Sequence, residues 1–590
     1  MNFMKRLVPV SVLLSSFLWM SGCAFVQTGP TGKLLMQMND ISTGSFVTRP
    51  VVVEMDGKPV VLHANKEGRV ALQIGEKRQL LDETARVKDG ASHFQLQRHG
   101  KELDALWWSH RDGKNVYFTS SVDNGQQFTP VSMVNDEHGV LPPFTLTRGP
   151  QGTVGLTYHD ERQPNYQAYF NRSTDYGRTW ARPDQRLDTP PAAGRSSMVF
   201  EPQSVEAGTA WISAWTDNVQ QAGKQTYRIV SRRSLDAGVS WSPAEVLYSA
   251  DHHISALVVR AQGDTVVVAA DELERGIFAM VSNDQGLSWR NAGPVSGSDQ
   301  ASNSGILLTL VGGRAHMVWM QERPDEKLKI MRASLDAAQQ KWLGAAQRLN
   351  LKAYENTKAS SPALLATAQG VLIAAWVDYR DIRPNIYLSV SSDSGQMWSA
   401  PQPLLKPGEA SAGAPQLIRW RDQAAIAYEV YPSERSTDGQ FFIRLLTPGN
   451  SVTGMEGMAT PLNISDADRK KKLEQRVKKL WDARISADHD TSYEMFDFAY
   501  KASTPKKSYT DYMGVITYLA YNVEEVAISG NEAAVKMKIK YEVKPTIIPT
   551  APKPISIPPT ETESPSTWVW VGDDWYLVYA PAYESAVLKY

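Results

Sequence analysis

An eight-residue pattern, Ser-x-Asp-x-Gly-x-x-aromatic, returns at near-regular intervals and constrains the fold more than anything else in this sequence. It reads SVDNGQQF from Ser121, STDYGRTW from Ser173, SLDAGVSW from Ser234, SNDQGLSW from Ser282 and SSDSGQMW from Ser391. A decayed copy, SLDAAQQKW, begins at Ser334. The six aspartates, Asp123, Asp175, Asp236, Asp284, Asp336 and Asp393, lie 52, 61, 48, 52 and 57 residues apart. A period near fifty is that of one small sheet per repeat, as in propeller blades.

The flanks repeat too. Each copy follows an apolar segment such as SPALLATAQG and alternating strands such as VLIAAWVD and NIYLSVSS. The order is strand A, a turn, strand B, a polar loop, strand C, the motif, then strand D. Similar A–B–C patterns without a full motif occupy 51 to 84 and 415 to 447. Counting A strands gives eight units, or seven if the first and last merge. Within the motif the aspartate oxygens accept turn N–H groups, glycine supplies a positive φ, and tryptophan fills the gap between sheets. The expectation is a mainly β chain: a seven- or eight-bladed β-propeller over 49–450, then a small α+β domain. The motif resembles the Asp-box (BNR) repeats of the sialidase superfamily, from Arg49 to about Gly449. In that reading the six aspartates are structural, each occupied by its own hairpin.

In an up-and-down sheet the A–B and C–D turns share one end, which places the B–C loops at the other. Those loops read SHRDGKN, HDERQPN, TDNVQQAGK, DELERG, QERPDEK and DYRDIRPN. Their ligand-binding candidates are His110, Arg111, Asp112, His159, Asp160, Arg162, Asp217, Arg275, Glu322, Arg323, Asp378, Arg380 and Arg383. Trp107, Trp215, Trp319 and Trp376 are expected close beneath. Guanidinium, carboxylate and aromatic groups together suit a sugar or an acidic ligand. The competing reading makes each Asp-x-Arg an ion pair that orders its own loop.

The resemblance implies a catalytic set as well: three arginines on a substrate carboxylate, a tyrosine nucleophile paired with a glutamate, and an aspartate acid/base. Arg49 stands in Thr48-Arg49-Pro50, one residue short of the family's Arg-Ile-Pro. Asn65 occupies the expected aspartate position and cannot carry a proton. Glu67, Tyr428, Glu429 and Tyr431 are the remaining catalytic candidates, with Arg419 nearby. The expected function is non-catalytic binding of a glycan or an envelope protein; the alternative is a divergent exo-sialidase-type glycoside hydrolase. No cofactor is expected. The adjacent His252 and His253 could bind metal, but two surface or loop histidines are the preferred account. A formal net charge of -1 gives no electrostatic reason to expect nucleic acid.

Residues 1–22 read as a secretory signal: Lys5 and Arg6, an apolar run, then Met20-Ser21-Gly22. Cys23 after that pair resembles the lipobox of bacterial lipoproteins, which implies lipidation of Cys23 and a tether over 23–48. Ala24 favours the outer membrane of the bacterial envelope. Residues 465–590 change in composition. Ser465 and Asp468 cap a helix with Leu473, Val477, Leu480, Trp481 and Ile485 on one face, and TSYEMFDFAYKAS reads as a second helix. Long strands and a final Trp-rich hairpin follow. That order resembles the nuclear-transport-factor-two-like fold, a cystatin-like cone. Between the strands, 545–565 holds seven prolines and reads as an extended or disordered insertion.

Overall fold

The computed structural model describes residues 31–446 and 465–578, apart from short stretches, the longest being 42–48, 84–89, 351–357, 432–438 and 547–554. The chain is mainly β. Its first part is a run of antiparallel sheets of four strands, one carrying an extra short strand. Sheets 1 to 7 span Val51–Asp82, Ser92–Met133, Val140–Arg186, Arg195–Ala250, Ile254–Pro294, Ser302–Trp342 and Ala359–Pro403. Sheet 8 takes its A, B and C strands from Ser411–Leu446 and its D strand from Thr31–Met38. The A strands of successive sheets lie side by side, those of sheets 2 and 3 joined through Gln95 and the Phe144 carbonyl, and the eighth lies against the first.

The first and last units are therefore separate sheets, and the stretch read as a tether contains a strand of the last one. Thr31 pairs with Leu446 and Met38 with Phe441. Leu35, Met36 and Met38 pack on Val61, Ile418 and Phe441. The strand is short and its partner lies some 400 residues away, so nothing local marked it.

Alternation explains what lies inside. In the B strands the residues facing both neighbouring sheets are mostly apolar, with Asp104, Thr157 and His316 among the buried polar exceptions, and Trp107, Trp215, Trp319 and Trp376 are fully buried. They are core, and no ligand can stack on them. The recurrent motif closes the C–D hairpins. In each full copy the serine hydroxyl donates to an aspartate oxygen, 2.7 Å at Ser121, and the glycine N–H donates to the serine, 2.9 Å at Gly125. The same aspartate oxygen accepts the N–H four residues on: 2.9 Å for Asp123, Asp175, Asp284 and Asp393, 2.8 Å for Asp236.

The turn needs two left-handed residues, not one. Tyr176 has φ 60° before Gly177 at 75°, and Gln285 has φ 59° before Gly286 at 76°. Glycine is also required by contact: a Cβ on Gly177 would sit 2.1 Å from the Phe118 ring of the preceding sheet. Trp180 packs edge-on against that ring at 5.4 Å. Each motif thus braces its sheet against the one before.

The motif also fixes which end is which. N–H groups of Asn124, Tyr176 and Gln285 donate to carbonyls of the A–B turns at Lys101, Gly152 and Asp264, at 2.9–3.0 Å. At the opposite end, Val140 N–H donates to the Lys114 carbonyl (3.0 Å) and Tyr379 N–H to Lys358 (3.1 Å), joining B–C loops to D–A loops.

The inner strands carry a feature that strand patterning did not reveal. From sheet 2 to sheet 8 the A–B pairing slips once near the B–C end, as between Phe200 and Gln203 or Gly413 and Gln416. His93, Glu201, Ala256, Gly305, Ser361 and Ala414 take positive φ in these bulges. The legible trace is a proline just after or within the bulge, Pro143, Pro202, Pro362 or Pro415. The bend lets a following glutamine reach across: Gln95 donates to the Phe144 carbonyl and Gln203 to Leu257, both at 2.6 Å. At the closure Gln416 does the same to Pro50.

The C-terminal residues form helices α1 (Asp466–Ile485), α2 (His489–Glu494) and α3 (Lys506–Met513) and a five-stranded sheet. Ser465 caps α1, accepting the Asp468 N–H at 3.1 Å. Leu473, Val477, Leu480 and Trp481 pack on Val535, Met537 and Trp568. Ile485, expected on that face, is exposed at the last turn. Helix α2 ends at Glu494, residues 497–500 and 502–503 of the expected second helix lie outside the described residues, and α3 follows where none was expected. The proline-rich insertion is partly a strand: Ile555–Glu563 pairs with Glu532–Thr546. Pro558 and Pro559 sit at its register break, where no ladder donor is needed.

Candidate ligand-binding rim

Three B–C loops share one construction. In sheet 3, Asp160 accepts the Arg162 backbone N–H at 2.7 Å and its Nε at 2.9 Å, and the guanidinium lies 4.1 Å over the Tyr169 ring. In sheet 7, Asp378 accepts the Arg380 N–H (3.0 Å) and Nη2 (2.5 Å), with Arg380 4.0 Å over Tyr387. In sheet 2, Ser109 takes the aspartate's backbone role, Arg111 pairs with Asp82 at 2.5 Å, and its guanidinium lies 4.3 Å over Tyr117. These arginines brace loop to strand C. The tyrosines carry a sequence signal that went unread: NVY, QAY and NIY open the three C strands.

Arg162 does more than its counterparts. Its Nη1 lies 2.8 Å from Asp136, and its Nη2 2.8 Å from both Asp160 and Asp184. Asp136 and Asp184 each accept the other's backbone N–H, at 2.8 and 3.0 Å. Burial, and then the neighbouring Asp136, push the Asp184 carboxyl up to about 6. Burial raises Asp160 as well.

The other candidates divide by exposure. Asp217 is buried, accepting from the Ser197 hydroxyl and paired with Arg228. His159 is buried beside Tyr166, its ring 5.7 Å away, and burial lowers its pKa to about 4. His110 is exposed against Trp108 at 4.4 Å, Asp112 is exposed at φ 56°, and Glu322 is exposed. Arg323 donates to the Gly297 carbonyl at 3.0 Å. Arg275 is half-exposed, 3.2 Å from Glu272 and 3.4 Å from Asp251. The Arg383 side chain lies outside the described residues, as do Cys23 and the signal segment.

The residues singled out by resemblance gather at the closure between sheets 8 and 1, with differences. Arg49 enters the first A strand at the B–C end, half-buried; burial holds its pKa below the usual arginine range, and the charge of buried Glu429 acts in the opposite direction. Tyr428, next to Glu429 in the strand, faces the other way. Its hydroxyl accepts from Arg444 Nε at 3.0 Å and its ring stacks on Phe442 in the core. Asn65 caps the first B–C turn, its Oδ1 accepting the N–H groups of Glu67 (3.0 Å) and Arg69 (2.8 Å). Glu67 is exposed and 3.2 Å from Arg69. Arg419 sits beside an A–B turn, at the opposite end of the molecule. Tyr431 ends the last B strand at the rim, half-buried.

Residues 137–372 match the family model described as a BNR repeat-like domain. No curated protein sequence matches. Among solved structures, the leech intramolecular trans-sialidase complexed with 2,7-anhydro-Neu5Ac aligns at 10% identity and TM-score 0.30, over 73% of this chain and 94% of that one. The Penicillium chrysogenum α-L-arabinanase complexed with arabinobiose aligns at 13% and 0.33, over 52% and 96%. An ulvan lyase of a new polysaccharide lyase family aligns at 10% and 0.39, over 70% and 96%.

Proposed function

We propose that this chain is a glycan-processing eight-bladed propeller, an exo-glycoside hydrolase that takes an acidic saccharide at the B–C end. The observation that carries the reading is Arg49 beside the buried carboxylate of Glu429 at the closure. A half-buried guanidinium suits two-point pairing with a sugar carboxylate. The BNR repeat-like match agrees with this reading.

The turn-capping role of Asn65 favours a second reading, binding without turnover. One experiment separates the two: a glycan array on the chain lacking residues 1–23, with release of 4-methylumbelliferone from its sialoside measured in parallel. Acidic glycans are expected to bind, and Arg49→Ala to weaken them at least about tenfold, the value of a charge-assisted pair. Binding without wild-type turnover selects the second reading. No acidic-glycan binding, or binding indifferent to Arg49→Ala, overturns both.

For location, we propose a lipid anchor at Cys23 in the bacterial envelope. The closing strand sets an orientation: Thr31 pairs with Leu446 at the end that carries the motif turns. Seven residues lie between Cys23 and Thr31, eight Cα steps, a reach of at most about 28 Å. The motif turns would then face the membrane, and the B–C rim would face away. Cys23→Ser is expected to move the protein from the membrane fraction to the soluble one; a variant still sedimenting with membranes removes the anchor.

A further inference from the structure

At the B–C end of sheet 5, a D–A loop carrying Asp251, His252 and His253 meets the turn Glu272–Arg275. A backbone bond locks the two together, Leu273 N–H donating to the His253 carbonyl at 2.9 Å, while Arg275 N–H closes the turn on the Glu272 carbonyl at 3.0 Å. Ligand-type atoms of Asp251, His252 and Glu272 there lie within 4.8 Å of one another. His252 Nδ1 is 2.9 Å from Asp251 Oδ1 and 3.7 Å from Glu272 Oε1.

Two of these atoms point to a ligand. His252 Nδ1 and Glu272 Oε1 are shut off from solvent and make no hydrogen bond of acceptable geometry. Glu272 is only 2% exposed. Its other oxygen accepts the Tyr248 hydroxyl at 2.5 Å, which fixes the carboxylate with Oε1 turned toward the imidazole. The close contacts of the two atoms, Asp251 Oδ1 at 2.9 Å from the imidazole nitrogen and Arg275 Nε at 3.2 Å from the carboxylate oxygen, are out of line for hydrogen bonds and leave both atoms open to a better-placed partner. Atoms bound to one ion at about 2.1 Å are about 3.0 Å apart at right angles and about 3.4 Å apart in a tetrahedron, close to the spacings found. Glu274 Oε2, 3.7 Å from His252 Nε2, is placed to orient the ring from behind.

Charge points the same way. Asp251, Glu272 and Glu274 bring three negative charges and Arg275 one positive, which leaves two negative with His252 neutral. Arg275 spans the same two oxygens, Glu272 Oε1 at 3.2 Å and Asp251 Oδ1 at 3.4 Å. Its side chain is half-exposed. We infer that Asp251, His252 and Glu272 bind a first-row divalent transition cation, with Arg275 holding its place when the ion is not there. One imidazole and two carboxylates suit zinc or its neighbours better than calcium or magnesium. This inference stands apart from the saccharide reading.

Calorimetric titration of zinc chloride into the chelator-treated full chain tests it. Saturable uptake of one ion is expected, with a rise in melting temperature. His252→Ala is expected to weaken uptake at least tenfold and to abolish the rise. Arg275→Gln is expected to tighten uptake several-fold, because the competing cation is gone. His253→Ala, whose ring lies against Tyr227 at 5.2 Å, is the control and should change nothing. No saturable uptake, equal losses in both histidine variants, or weaker uptake in Arg275→Gln each overturn the inference; the last would make Arg275 a permanent partner of the carboxylates.

Discussion

Arg162→Met is expected to destabilise the protein by about 3–5 kcal/mol, the range for breaking a buried ion pair by removing one partner. Three carboxylates, Asp136, Asp160 and Asp184, converge on this one guanidinium, and its side chain is only 9% exposed. Methionine keeps much of the stem's volume but leaves those acids facing one another out of water. The loss should depend on pH in a definite sense. Asp184 holds its proton up to about 6, above the ordinary 3.8. Between those values the native state keeps a proton that the unfolded chain releases, so this group's contribution is present at low pH and lost as pH rises through 6. Without Arg162 the carboxyls hold protons to higher pH still. The deficit should therefore be largest near pH 7.5 and narrower at pH 5. Urea unfolding of both proteins at the two values checks this; equal deficits would show that the carboxylates are not what Arg162 serves.

The same loop shows how far the sequence could be read. The Asp-x-Arg spacing placed Asp160 and Arg162 on one B–C loop, and Asp378 and Arg380 on another. Period-two alternation and the recurring motif fixed the strands and the end from which those loops emerge. Asp136 and Asp184 were invisible because they come from D–A and C–D connections of neighbouring sheets, brought together only by stacking. The tyrosines under the arginines were legible as NVY, QAY and NIY but lay inside strands already explained as core. Tyr428 and Glu429 show the converse. Adjacent in sequence they looked like a pair, yet strand geometry turns one into the core and the other toward Arg49. Asn65 looked like a failed acid because its position was compared with a catalytic aspartate, whereas its hydrogen bonds make it a turn cap. The inner-strand bulges, one extra residue in every case but sheet 3, escaped because they lie near a strand end where too few alternating positions remain to report the change of face; the prolines beside them were the legible hint.

These misses share a cause. Local pattern determines what each sheet is, while the contacts between sheets determine what each polar residue does. The clearest case is the strand Thr31–Met38, and its removal should have the largest effect on the whole molecule. A chain beginning at Asn39 keeps every sheet except the outer strand of the eighth. It uncovers the edge Phe441–Leu446, whose ladder groups pair with residues 31–38. It also strips Leu35, Met36 and Met38 from the cluster around Ile418, Phe441 and Ile443. An uncovered apolar edge is a template for pairing between molecules. Sheet 8 is moreover the one that must meet sheet 1 through Gln416 and Pro50. Loosening it releases the whole circle, because each sheet is held by both neighbours. The truncated chain is expected to aggregate and to melt without a cooperative transition, while a chain beginning at Gln27 melts as the full protein does. Calorimetry and light scattering on the two chains decide the matter. If the chain from Asn39 kept a single transition at the full protein's temperature, the ring would close without its N-terminal strand, and the orientation drawn from Thr31 would fall with it.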